Sequence, residues 1–256
     1  MADAVLPRAD LPRFGIGKVL GQSFTVFFRN FHRFFPIMLL CSAPSLALTH
    51  WTRSLPADPR HPLASHPWLS IVAWLVAVVV TAVSHGIVTV GTVQQLGGER
   101  FDLRVCLQRG LAAAPKVAVA TFLFWLAILL GMVVIIIPGL VVVVIFWVYL
   151  PTIVVENVGI LESFRRSRLL TRGRRWPIFG LFLVVIGAYV VLEVVLIRTV
   201  GLAGLQAAMR NFWILVAAGA FGSVIGTYYA VVTALGYYHL RAEKEGITSE
   251  IAKVFD

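Results

Sequence analysis

Glu193 is the residue whose position most invites chemistry. It sits inside the apolar run AYVVLEVVLIRTV, about six residues, or roughly 9 Å of helix, from the nearer end of that run. An ionisable side chain at that depth in hydrocarbon is costly and is by default a candidate for handling protons or substrate. The plainer reading is a Glu hydrogen-bonded to a neighbouring helix, with Ser45 and Trp74 at similar depth. His85 is the one histidine deep in an apolar run, roughly 24 Å from the outer end of its helix. The two residues differ by roughly 15 Å in depth, too far for a direct proton relay. A haem would need two facing histidines at matched depth, and His32, His50 and His239 lie near the ends of runs. A hydrogen-bonded structural role is the expectation for His85.

The densest charge feature is Arg165, Arg166, Arg168, Arg172, Arg174 and Arg175, a run with no Lys in it. The guanidinium fork matches phosphate oxygens in pairs. Each basic residue beside an anionic membrane surface contributes about 1 kcal/mol of attraction. Phospholipid headgroups or phosphate are therefore the expected ligands. Plain membrane topology would also place arginines there, and Glu156 and Glu162 flank the run and can pair with it. Catalytic signatures are missing: no G-x-S-x-G, no H-E-x-x-H, no Walker loop and no metal-spaced carboxylate pair occurs. Gly15-Ile16-Gly17 follows no strand, and Cys41 and Cys106 have no paired spacing. No catalytic residue, metal or cofactor is expected.

The elements that carry these residues follow from composition. The chain has 256 residues, 59% hydrophobic and 13% charged, with mean hydropathy +0.88. A soluble domain carries roughly 45–50% apolar and about 25% charged residues. A water-soluble globule and a disordered chain are both excluded. Six apolar spans can be drawn, at 34–50, 69–94, 117–137, 139–155, 177–199 and 212–238. Only Pro138-Gly139 separates the third from the fourth. One helix through both would be about 58 Å long against about 30 Å of hydrocarbon, so a tight hairpin at Pro138-Gly139 is predicted.

The net charge is +10, which in such a chain reads as topology and anionic lipid contact, not nucleic-acid binding. With the N-terminus cytoplasmic, six spans place 18 of the 22 basic residues inside and leave Arg53, Arg60, Arg198 and Arg210 outside. That asymmetry predicts both termini in the cytoplasm. Residues 1–15 lack a signal-peptide core and read as a polar tail. Residues 16–240 form the membrane domain and 241–256 a second cytoplasmic tail.

Before the first span, Ile16, Leu20, Phe24, Phe27, Phe28, Phe31, Phe34 and Phe35 share a helical arc of about 120°. Arg29 and Arg33 lie on the opposite side. Phe24, Phe27, Phe31, Arg29 and Arg33 are the predicted anchors of a helix lying in the headgroup plane. A weak repeat follows, in which a surface helix, a Pro (Pro36, Pro115, Pro177) and two spans recur three times. The predicted fold is an all-α integral membrane protein: six transmembrane helices in three hairpins, each preceded by a cytoplasmic-side interfacial helix. Ala218, Gly222, Gly226 and Ala230 recur at four-residue spacing and predict close helix packing, centred on Gly222 and Gly226. Pro44 and Pro151 are expected to kink the first and fourth spans.

One series of residues is more particular. Pro138-Gly139-Leu140 is followed by Tyr149-Leu150-Pro151, Val155-Glu156-Asn157-Val158-Gly159, Ser163-Phe164-Arg165-Arg166-Ser167, Leu170-Thr171-Arg172-Gly173 and Trp176. Tyr237-Tyr238-His239-Leu240-Arg241 and Lys244-Glu245-Gly246 complete it. The series resembles the bacterial membrane domain named after glycerophosphodiester phosphodiesterases and the related YciC-like inner-membrane proteins, best from about 130 to 246. The resemblance implies a six-helix protein of the bacterial inner membrane. It does not imply the enzyme, because the hydrolytic barrel of the namesake is a separate domain of roughly 200 residues or more. The resulting expectation is a non-enzymatic accessory or scaffold subunit, bound to anionic phospholipid and to a membrane protein partner or further copies of itself. A transporter or lipid translocase using Glu193 and the arginine run is the alternative.

Overall fold

The computed structural model describes residues 14–54, 67–96, 101–134, 136–201, 204 and 211–245. The helices are α1 (Ile16–Ser54), α2 (Pro67–Leu96), α3 (Leu103–Val134), α4 (Ile136–Ile145), α5 (Tyr149–Glu156), α6 (Ile160–Thr171), α7 (Arg175–Val200) and α8 (Phe212–Glu245). No strand occurs among the described residues. Among the described residues, six segments are long and apolar enough to cross a membrane: Ile16–Trp51, Ile71–Leu96, Leu103–Val133, Ile137–Glu156, Arg175–Thr199 and Phe212–Glu245. In hydrocarbon each backbone N–H and C=O needs a partner within the chain, and the helix supplies one locally. This is the architecture of a multi-pass membrane protein.

Three boundaries differ from the sequence expectation. First, α1 is one helix of 39 residues with Pro36 and Pro44 inside it, not a surface helix followed by a span. Likewise α3 runs unbroken through Pro115. Only the third surface segment stands as its own helix, α6, because Gly173 takes φ +86° and turns the chain before α7. Second, α3 ends at Val134 and α4 begins at Ile136, so Pro138 falls in the first turn of α4 and not between helices. A missing N–H is tolerated in a first turn. Third, the fourth span is divided, with Phe146, Trp147 and Val148 in a turn between α4 and α5. Pro151 accounts for this: it has no N–H for the Trp147 carbonyl, and its ring would collide with that oxygen in a continuous helix.

Helices pack where small residues let them. Gly86 of α2 faces Gly110 of α3, so that a Cβ built on Gly86 would lie 3.4 Å from the Gly110 Cα. Gly131 of α3 meets Gly139 of α4 the same way, at 2.9 Å from the Gly139 N. Lys116 with Asn157 (2.9 Å) and Thr121 with Tyr149 (2.9 Å) continue that antiparallel register along α3 into α5 and beyond its end. On α8 the close approaches fall at Gly219 against Leu46, Gly226 against Met38 and Gly236 against Trp147. Gly222 faces open space. The four-residue stripe therefore does not form one packing seam.

The buried side of α1 carries Val19, Ser23, Phe27, Asn30, Phe34 and Met38. This face is rotated from the aromatic arc. It leaves Phe24 and Phe28 exposed, at 50% and 68%.

Candidate functional site

The chemistry-bearing residues gather around the turn between α4 and α5. Tyr149 N donates to Phe146 O at 3.1 Å, an i−3 bond, which leaves the Ile145 carbonyl without its usual i+4 donor. Two hydroxyls of α6 take that place. Ser167 Oγ donates to Ile145 O at 3.0 Å, and Thr171 Oγ1 reaches the same oxygen at 3.1 Å while sharing its proton with Ser167 O at 2.9 Å. Val148 N donates to Ser167 Oγ at 3.3 Å. Both hydroxyl residues are fully buried, so each bond removes a desolvation cost. Asn157 closes α5 in the left-handed conformation at φ 51°, a backbone state Asn tolerates. The divided span is thus stitched by α6.

An ionic network ties this knuckle to α8. Arg166 Nε donates to Glu156 Oε2 at 2.8 Å, and its Nη2 bonds Glu245 Oε1. Arg241 Nε donates to Glu245 Oε2 at 2.8 Å, and Arg241 Nη1 to the Tyr237 hydroxyl at 3.0 Å. That hydroxyl donates to Glu156 Oε1 at 2.8 Å. Burial alone would lower the Arg166 pKa, but its bonds to Glu156 and Glu245 outweigh it and hold the guanidinium above its ordinary value. A second node lies alongside. Arg174 Nε donates to Glu243 Oε1 at 2.8 Å, and the Phe14 amide donates to Glu243 Oε2 at 3.0 Å.

The six arginines therefore divide. Arg166 and Arg174 are half-buried in ion pairs. Arg165 is exposed and loosely paired with Glu162 at 3.7 Å. Arg168, Arg172 and Arg175 are exposed, and no described carboxylate lies within ion-pair distance of them. Trp176 stands beside them, 83% exposed.

The other predicted residues lie elsewhere. Glu193 belongs to α7, and its side chain is outside the described residues. His85 of α2 packs its ring 6.0 Å from the Tyr229 ring. Phe27 is buried among Phe28, Phe31 and Tyr228, while Phe24 lies on Tyr228 at 4.9 Å. Arg29 and Arg33 are exposed, with the Arg33 guanidinium 5.4 Å from the Phe101 ring centre.

Sequence reading missed Tyr237, Arg241, Glu243 and Glu245 as partners of the run. The signal was present: Tyr237, Arg241 and Glu245 recur every four residues and so share one helix face. Among the described residues no group of three His, Cys, Asp or Glu is placed to hold a metal ion.

Two grooves flank α7. One lies between α4 and the first turns of α7 and encloses about 410 Å³. The other, about 370 Å³, is walled by α1, α7 and α8. Both are lined almost wholly by apolar side chains.

No curated protein and no solved structure matches the chain. A family profile does, over residues 60–242, described as a domain of unknown function, DUF7847. That stretch takes in α2 to α7 and nearly all of α8, with the divided span, its α6 stitch and the arginine run inside it. A match across well over half of the chain makes it a member of the DUF7847 family.

Proposed function

We propose that the protein is a non-enzymatic accessory or scaffold subunit of a membrane assembly that binds anionic phospholipid. The observation that carries this reading is the unequal use of neighbouring arginines. Two are neutralised by internal carboxylates, while Arg168, Arg172 and Arg175 keep exposed charge without a described carboxylate. Exposed guanidiniums beside an exposed Trp176 suit a headgroup layer, where indole rings and basic side chains both collect. In this reading α6 lies along the cytoplasmic headgroup plane. Both termini face the cytoplasm, and the spans pair as three hairpins. In the same reading the membrane is the bacterial inner membrane, as the resemblance of residues 130–246 implies. The α7 face carrying Val191, 64% exposed, together with Leu183 and Val194, offers apolar surface to lipid or to a partner helix.

The transport alternative has less support, since the described linings of the two grooves beside α7 are almost wholly apolar. The test is reconstitution in nanodiscs with and without phosphatidylglycerol, together with native mass spectrometry of the gently extracted protein. Enrichment of phosphatidylglycerol around the protein and a co-purifying membrane protein are expected. Equal affinity for zwitterionic and anionic lipid, with no partner, overturns the reading.

A further inference from the structure

The geometry points to one discrete phospholipid site in the groove between α4 and the start of α7. The groove takes an acyl chain of an anionic glycerophospholipid from the surrounding bilayer, and Arg175 holds its phosphate. This rests on the lipid-binding reading above and adds a location and a stoichiometry to it.

The groove encloses about 410 Å³, within the roughly 300–1,000 Å³ of sites that bury small ligands. Its walls are Leu140, Val141 and Val144 of α4 and Trp176 and Phe179 of α7. Arg175 is the one charged residue in its lining. Walls this apolar give a polar ligand nothing to bond and leave a hydrocarbon chain as the fitting occupant. Arg175 is exposed and has no described carboxylate within ion-pair distance. Its requirement is an anion. A molecule with a hydrocarbon tail and an anionic head meets both demands at once. The Trp176 indole, adjacent in sequence and largely exposed, presents the side chain favoured at headgroup level.

Arg175 also differs from its neighbours in the run. Arg174, one residue earlier, is committed to Glu243. Arg165 lies on α6 and takes no part in lining this groove. The site therefore distinguishes one guanidinium among six, which a general basic surface would not.

The experiment is native mass spectrometry of the full chain released from nanodiscs of equal phosphatidylglycerol and phosphatidylcholine. The wild type is expected to keep one phosphatidylglycerol per chain through stepwise delipidation. Arg175→Gln should lower retention of phosphatidylglycerol relative to phosphatidylcholine about fivefold. Val141→Trp, which fills the groove without touching charge, should abolish retention of that lipid. Arg165→Gln, the same charge change outside the groove, should retain it. Thermal unfolding verifies that each variant is folded, and if Val141→Trp is not, the Arg175→Gln and Arg165→Gln pair decides. If the wild type prefers phosphatidylglycerol but Arg175→Gln behaves like Arg165→Gln, the groove site is overturned and the broader lipid reading stands. If the wild type shows no preference, that broader reading fails with it.

Discussion

The Tyr237 hydroxyl donates to Glu156 Oε1 at 2.8 Å and joins the last turn of α5 to α8 across 81 residues of chain. Tyr237 is fully buried, and its oxygen also accepts from Arg241. Removing the hydroxyl leaves a half-buried carboxylate and a guanidinium each one bond short. Tyr237→Phe should cost about 1.5–3 kcal/mol, the range for hydrogen bonds to charged groups. A fall in thermal midpoint in detergent checks it, and an unchanged midpoint refutes it.

Two arginines one residue apart should behave differently under the same change of charge. Arg166 bridges Glu156 and Glu245, with its side chain about a quarter exposed. Breaking a buried pair costs about 3–5 kcal/mol. Partial exposure reduces this, and Arg166→Gln is expected to cost about 1–3 kcal/mol. Arg165 is three-quarters exposed and sits 3.7 Å from Glu162. Arg165→Gln should stay within about 0.5 kcal/mol of wild type. Equal effects would show that the division of the run is wrong.

Acid should loosen the junction of α6 and α8. Glu243 and Glu245 lie beyond residue 238, where the apolar stretch of α8 gives way to charged residues. Burial alone would raise both pKa values. Bonds from Arg174 and the Phe14 amide to Glu243, and from Arg241 and Arg166 to Glu245, outweigh it and hold both below the ordinary 4.5. A carboxyl depressed in the folded state contributes stability above its unfolded pKa and loses it as pH falls through the folded value. The unfolding midpoint should be level from pH 7 to about pH 5 and decline below that. Glu243→Gln with Glu245→Gln should lower the neutral midpoint and flatten the acid slope. An identical slope in the double variant would remove these residues from the explanation.

Two glycines of α8 should respond in opposite ways to an added methyl group. A Cβ on Gly236 would lie 2.3 Å from the Trp147 Cη2, inside any real contact distance. Gly236→Ala should destabilise by about 1–3 kcal/mol through overpacking. Gly222 has open space around its Cβ position. Gly222→Ala should be neutral or stabilise by up to about 1 kcal/mol through helix propensity. Unfolding midpoints of both variants in one detergent make the comparison.

The sequence made the helices legible and the joints illegible. Apolar runs of about 20 residues identify spans because hydrocarbon demands internal backbone bonding. Pro138-Gly139 looked like the turn, yet a Pro is accommodated in a first turn and the chain uses it there. Pro151 looked like a kink, yet it divides its span outright, because α6 supplies hydroxyls to the freed Ile145 carbonyl. Nothing local to residues 145–151 reveals those donors, which lie about 20 residues on. The arginine run was legible as charge and, through the flanking Glu156 and Glu162, in part as pairs, but its two half-buried members also take carboxylates about 70 to 80 residues away. Glu243 and Glu245 gave no signal singly, and the spacing of Tyr237, Arg241 and Glu245 was the one clue to a shared face.

That dependence on distant carboxylates has a consequence for biogenesis. A chain grows from its N-terminus, so α1 to α7 leave the ribosome before the last turn of α8 exists. Until then Arg174 and the Phe14 amide lack Glu243, and Arg166 has only Glu156 of its two carboxylates. The body is latched at residues 243–245, after every span has been made. A nascent chain stalled at Ala242 should carry all six apolar helices and still be open to proteolysis at α6, while one that reaches Glu245 should resist.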